Sequence, residues 1–174
     1  ARDGVEFAGC ELRLYRDWSD VRDLARTATD ESDVAMVTSY CPDGIAASEL
    51  VLDSAAHVRC FYDLDTPITL SRLAEGQLVD YLPPGGLRDF DLVLSYTGGE
   101  ALVKLKEKLG ARRVAPLYGS VDPSVHRPAE PMTDFASDMS YLGTYALDRQ
   151  RALEELLIEP ARRRPAQRFC IGGA

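Results

Sequence analysis

Four short runs, apolar at nearly every position, constrain the fold more than anything else in the chain: residues 34–37 (VAMV), 58–62 (VRCFY), 92–95 (LVLS) and 114–118 (VAPLY). Strands of a parallel sheet are buried on both faces and read as continuous apolar runs rather than as alternation. Helical periodicity fills the segments around them. Ser19 is expected to cap a helix whose inner face carries Val21, Leu24, Ala25 and Ala28, spaced i, i+3, i+4, i+7. Asp43-Gly44 opens a second helix, expected to run to about Ala56. Residues 66–75 form a third, and 100–109 a fourth with Leu102, Leu105 and Leu109 on one side and Gly110 as its stop. Residues 12–15 read as a further strand. Strand and helix in alternation predict an α/β fold: a Rossmann-like parallel sheet with helices on both faces. Such sheets bind ligands outside the carboxyl ends of their strands. The loops after Val37, Tyr62, Ser95 and Tyr118 are therefore where function is expected.

Residues 119–137 break the pattern. They carry Pro123, Pro128 and Pro131 without helical or strand period, which suits an interdomain linker. The alternation then resumes: a strand at 139–142, a Gly143-Thr144-Tyr145 turn, a helix face of Leu153, Leu156, Leu157 and Ala161, and a strand at 169–171. Pro160 is expected to kink that helix or end it early. A strand-helix-strand unit of this size buries little apolar surface alone. The expected organisation is an N-terminal Rossmann-like domain over 1–118 lacking its first strand and helix, a linker over 119–137, and the start of a second Rossmann-like domain over 138–174.

Charge and rare residues exclude several classes. A formal net charge of -8, from 28 acids and 20 bases, disfavours a nucleic-acid partner. The Arg162-Arg163-Arg164 cluster reads as a helix end. Cys10, Cys41, Cys60 and Cys170 are far apart, which fits neither a disulfide framework nor a zinc site and suits a reducing compartment. With His57 and His126 as the only histidines, no metal site is expected. No apolar run is long enough to span a bilayer and no leader pattern opens the chain, so a cytoplasmic location is expected. No GxGxxG follows a strand, which argues against a dinucleotide oxidoreductase. An acid pair near the first strand and a matching late lysine, which a phosphoacceptor receiver requires, are also missing.

Three stretches hold the candidate site residues. In CFYDLDTP, Asp63 and Asp65 end an apolar run. Either they face a ligand, or Asp65 or Thr66 caps the following helix with Pro67 in its first turn. Thr97-Gly98-Gly99 follows a strand and opens a helix, where exposed backbone N–H groups can hold a phosphate, although two glycines also simply permit a tight turn. Gly143-Thr144-Tyr145 repeats that arrangement in the second half. The loop Ser39-Tyr40-Cys41-Pro42-Asp43-Gly44 reads as a turn with Asp43 as N-cap, or as the lining of an acceptor site.

The segments DVAMVTSYCPDG, CFYDLDTPITL, DLVLSYTGG, LYGSVDPSVHRP and YLGTYALDRQRALEELLIEPARRRP occur in that order. Together they resemble the CgeB-like, spore-maturation type of glycosyltransferase. The resemblance implies a GT-B enzyme, two Rossmann-like domains facing each other across a cleft. It implies transfer of a sugar from a nucleotide-diphosphate sugar to an unknown acceptor, without a cofactor or an obligatory metal. It implies Asp63 or Asp65 as catalytic base, with Thr66, Thr97, Gly98, Gly99, Gly143, Thr144 and Tyr145 binding donor or substrate. It also implies that much of the C-terminal domain lies outside this chain, so that these residues alone are inactive and their unpaired surface favours a homodimer. The alternative is a non-catalytic α/β module that binds a glycan or a protein.

Overall fold

The computed structural model describes residues 9–173. They divide at Ser120–Val121 into two units. The first contains α1 (Trp18–Asp30), β1 (Val34–Thr38), α2 (Gly44–Leu52), β2 (Val58–Asp63), α3 (Thr66–Ala74), β3 (Leu92–Ser95), α4 (Glu100–Leu109) and β4 (Val114–Pro116). The four strands are parallel and lie in chain order, β1-β2-β3-β4. This is the expected Rossmann-like α/β arrangement, a parallel sheet flanked by helices.

Register explains the core. Val37 lies beside Phe61, Phe61 beside Val93 and Val93 beside Val114, so these side chains share one face of the sheet. Phe61 and Val93 are fully buried there, against Val51 of α2, Leu105 and Leu109 of α4, and Tyr81, Leu87 and Phe90 of the long α3–β3 connection. The Phe61 and Phe90 rings meet with centroids 5.6 Å apart and tilted by 58°. Each such side chain contributes on the order of 2–3 kcal/mol through burial. On the other face of the edge strand β1, Val34 and Met36 remain 52% and 43% exposed.

Local chemistry sets the helix ends. Helix α3 starts at Asp65 as N-cap with Pro67 in its first turn. Helix α4 ends at Gly110, whose φ of 74° lets Ala111 N–H fold back onto the Leu105 carbonyl at 3.2 Å. Helix α1 starts two residues earlier than expected. Its N-cap is Asp17 rather than Ser19, and Asp17 N–H donates to Asp20 Oδ2 at 3.3 Å. Helix α2 stops at Leu52, short of Ala56, where Ala55 N–H donates instead to Asp30 Oδ1 at 2.9 Å. Residues 12–15 form no strand, and Leu12 and Leu14 are exposed. An apolar run becomes a strand only beside another strand, and none pairs with it.

In the second unit, β5 (Met139–Leu142) and β6 (Phe169–Gly172) pair in parallel, Met139 beside Phe169. Between them run a 3-10 turn (Leu147–Arg149), α5 (Gln150–Leu153), a π-helical segment (Glu154–Ile158) and α6 (Glu159–Arg163). The π segment is the form that the expected disturbance at Pro160 takes. Proline offers no N–H and its ring crowds the carbonyl four residues back. The wider preceding turn, closed by Glu159 N–H on the Glu154 carbonyl, accommodates both effects. The proline-rich residues 121–138 group with this unit and contain one short 3-10 turn, Thr133–Phe135. Among the described residues, no helix is long and apolar enough to cross a membrane.

Candidate functional site

The carboxyl edge of the first sheet is built in two layers. The lower layer is buried and polar. Asp63 ends β2 and Ser95 ends β3, and both are fully buried. Tyr81 O–H donates to Thr69 Oγ1 at 2.8 Å, and Thr69 donates to Asp63 Oδ1 at 3.1 Å, which also accepts Asp65 N–H at 3.2 Å. Asp63 Oδ2 has no hydrogen-bond partner among the described residues. Burial raises the Asp63 pKa above the ordinary carboxylate range, against the opposing effect of its hydrogen bonds. Asp63, one of the two acids the sequence offers for a ligand-facing role, is thus fully buried. It lies beneath the loop and holds the start of α3.

Ser95 joins two loops with one hydroxyl. Its O–H donates to the Thr97 carbonyl at 2.7 Å, while its oxygen accepts Thr97 N–H at 3.0 Å and Thr66 O–H at 2.7 Å. Thr66 is thus neither the cap of α3 nor a surface ligand. It is fully buried and ties that helix to β3. Ser39 adds the β1 loop, giving its N–H to the Tyr62 carbonyl and accepting Leu64 N–H, both at 2.9 Å.

The upper layer is exposed and aromatic. Tyr40, two residues beyond β1, has φ of 63°, the one positive φ outside glycine among the described residues. Its ring is 45% exposed, sits 5.1 Å from the Tyr81 ring, and has the Arg72 guanidinium 6.0 Å above its centroid. Asp65 is half-buried nearby and contributes, after burial, to raising the Tyr40 pKa. Thr97 and Gly98 are half-buried and Gly99 is exposed. The Tyr118 hydroxyl occupies the place where a Cβ on Gly98 would stand, and the Tyr96 hydroxyl does the same at Gly119. The loops after β3 and β4 are interlocked in this way. Beside them, Thr97 and Gly98 open onto a groove of about 890 Å³ between α3 and α4, also lined by Pro67, Leu73, Ala101 and Lys104.

The second unit has its own carboxyl edge. Gly143 follows β5 and gives its N–H to the Gly172 carbonyl at 3.1 Å. Gly173 has φ of 133°, and a Cβ there would strike the Gly143 carbonyl. The two strand ends approach backbone to backbone because Gly173 has no side chain, while a Cβ on Gly143 would meet the Tyr141 hydroxyl. Gly143, Thr144 and Tyr145 line one cavity of about 120 Å³ with Arg149 and Gln150 from the helical segment that follows.

The sequence-predicted residues thus fall into two groups, Asp63 to Gly99 in the first unit and Gly143 to Tyr145 in the second. Ser95, Thr69 and Tyr81 were missed, while Tyr40 was singled out only as part of its loop. A signal for Ser95 was present: Ser39-Tyr40 and Ser95-Tyr96 each follow an apolar run, with the serine turned inward and the tyrosine outward. Among the described residues, no three His, Cys, Asp or Glu side chains are grouped to hold a metal ion. No protein-family model matches this chain, and neither does any curated protein or any solved structure.

Proposed function

We propose that this chain is part of a glycosyltransferase that moves a sugar from a nucleotide-diphosphate donor to an acceptor hydroxyl. The observation that carries the proposal is the pair of glycine-shaped strand ends at Gly143 and Gly173, above a cavity that also holds Thr144, Tyr145 and Arg149. Backbone N–H groups at the start of a helical segment, a nearby guanidinium and close access past glycine suit a diphosphate.

In the reaction, the acceptor oxygen attacks the anomeric carbon and the bond from that carbon to the diphosphate oxygen breaks. A general base takes the acceptor proton. Arg149 and the backbone N–H groups of residues 144 and 145 receive the negative charge of the departing nucleoside diphosphate. Asp63 positions the Asp65 turn from below through the Asp65 N–H.

The test is donor turnover. The full-length protein is incubated with UDP-, GDP- and dTDP-sugars, and release of nucleoside diphosphate is followed. Release from one nucleotide class, lost on Arg149→Leu, is expected. No release from any donor would sink the assignment.

A further inference from the structure

Every strand of the first sheet carries a tyrosine at or just past its carboxyl end: Tyr40 after β1, Tyr62 in β2, Tyr96 after β3 and Tyr118 after β4. Tyr62 O–H is committed to the Leu117 carbonyl at 2.7 Å. The others are exposed, Tyr40 by 45%, Tyr96 by 48% and Tyr118 by 62%. We infer that Tyr40, Tyr96 and Tyr118 form a rim that binds a carbohydrate.

Tyr40 carries the strongest reason. A left-handed backbone suits glycine or asparagine, and a bulky aromatic residue there is under strain. Strain of this kind persists where the surrounding structure holds the residue in place, and it clusters at binding and catalytic sites. Here the loop is pinned from below through Ser39, and the ring is presented at the ligand-binding edge of the sheet. The guanidinium of Arg72 lies over the ring and makes no ion pair among the described residues. Asp65 lies close by. An aromatic face next to a guanidinium and a carboxylate matches the chemistry of a pyranose. The apolar C–H face of the sugar packs on the exposed part of the Tyr40 ring beside the guanidinium that lies over it, and its paired hydroxyls donate to the carboxylate and accept from the guanidinium.

The tyrosines after β3 and β4 are held in place as well. Each hydroxyl rests on a glycine of the opposite loop, so any side chain at Gly98 or Gly119 would displace the ring. Rings fixed in this way bind with little loss of rotamer freedom.

The rim lies within the first unit, and neither it nor its test depends on the glycosyltransferase assignment. Cellobiose, maltose and chitobiose are titrated to about 20 mM into the chain with carbon-13-labelled tyrosine rings, without any nucleotide sugar, and ring shifts are read by NMR. One disaccharide is expected to move Tyr40 and at least one of Tyr96 and Tyr118. Tyr40→Gly relieves the backbone and removes the ring, so it is expected to keep or raise Tm while weakening binding about tenfold or more. Tyr40→Phe keeps the ring and is expected to keep binding.

Three results would overturn the inference: no ring shift with any disaccharide, a Tyr40→Gly variant that binds as well as the parent, or one whose Tm falls because the ring is a packing group. Donor turnover without saccharide binding would remove the rim and leave the transferase. Saccharide binding without donor turnover would keep the rim and make the chain a glycan-binding module.

Discussion

Ser95→Ala is the sharpest probe of the buried layer beneath the candidate site. The Ser95 hydroxyl is fully buried, gives one hydrogen bond and receives two. Alanine strands the Thr66 hydroxyl, which is itself fully buried, at about 1–3 kcal/mol. The Thr97 N–H and carbonyl sit in a half-buried turn and recover partly through water, adding roughly 0.5–1 kcal/mol between them. The expected loss is about 2–4 kcal/mol. Thr66→Val removes the other partner without changing its shape, and is expected to cost about 1 kcal/mol alone. In the double variant no hydroxyl is left stranded, so its loss falls short of the sum by about 1–2 kcal/mol. Trp18 is the only tryptophan and lies in the first unit, so its fluorescence in a urea titration reports that unit. A loss under about 0.5 kcal/mol for Ser95→Ala, with additive single variants, would refute the claim that this hydroxyl bridges the two loops.

Other residues give separate tests. Phe61→Ala empties the centre of the sheet face, and about 3–5 kcal/mol of stability should disappear from the same urea curve. Asp63 has a folded pKa above its unfolded 3.8, so its contribution is complete below that pH and is lost as pH rises through the raised value. Asp63→Asn should flatten the fall in stability with rising pH, and an unchanged slope would count against a buried Asp63. Asp91 behaves in the opposite sense. Arg59 hydrogen bonds hold its pKa down at about 2, so its contribution is present above 3.8 and is lost as pH falls from 3.8 towards 2. That shift corresponds to about 2.5 kcal/mol, which the one-third exposure of both side chains reduces to about 1 kcal/mol. Arg59→Met should abolish this acid-sensitive component in a pH series of urea midpoints.

The strands and helices were legible because their signals are local. Continuous apolar runs marked β1 to β6, and leucine spacing with a terminal glycine marked α4. The failures came where structure depends on distant residues. Leu12 and Leu14 look like strand residues but find no partner strand. Val34 and Met36 belong to a run that reads as buried on both faces, yet β1 is an edge strand and leaves them exposed. The rule that ligands bind at strand carboxyl ends singled out the loops that form that edge of the sheet. It did not say which side chains turn inward. Asp63 and Thr66 are buried through contacts with Thr69, Tyr81 and Ser95, and the Thr66–Ser95 bond spans 29 positions of sequence. Neither composition nor periodicity carries that information. The strained backbone of Tyr40 was hidden for the same reason, because a tyrosine gives no sign in the sequence that it will adopt a left-handed conformation.

The most direct test of the proposed function is calorimetric titration of the protein with UDP-, GDP- and dTDP-sugars, in parallel with Gly143→Val. Valine at that position collides with the Tyr141 hydroxyl and closes the approach to the turn. One nucleotide class is expected to bind the parent, with the variant weaker by about tenfold or more. Absence of binding across the whole panel, or equal binding by Gly143→Val, would contradict the proposal.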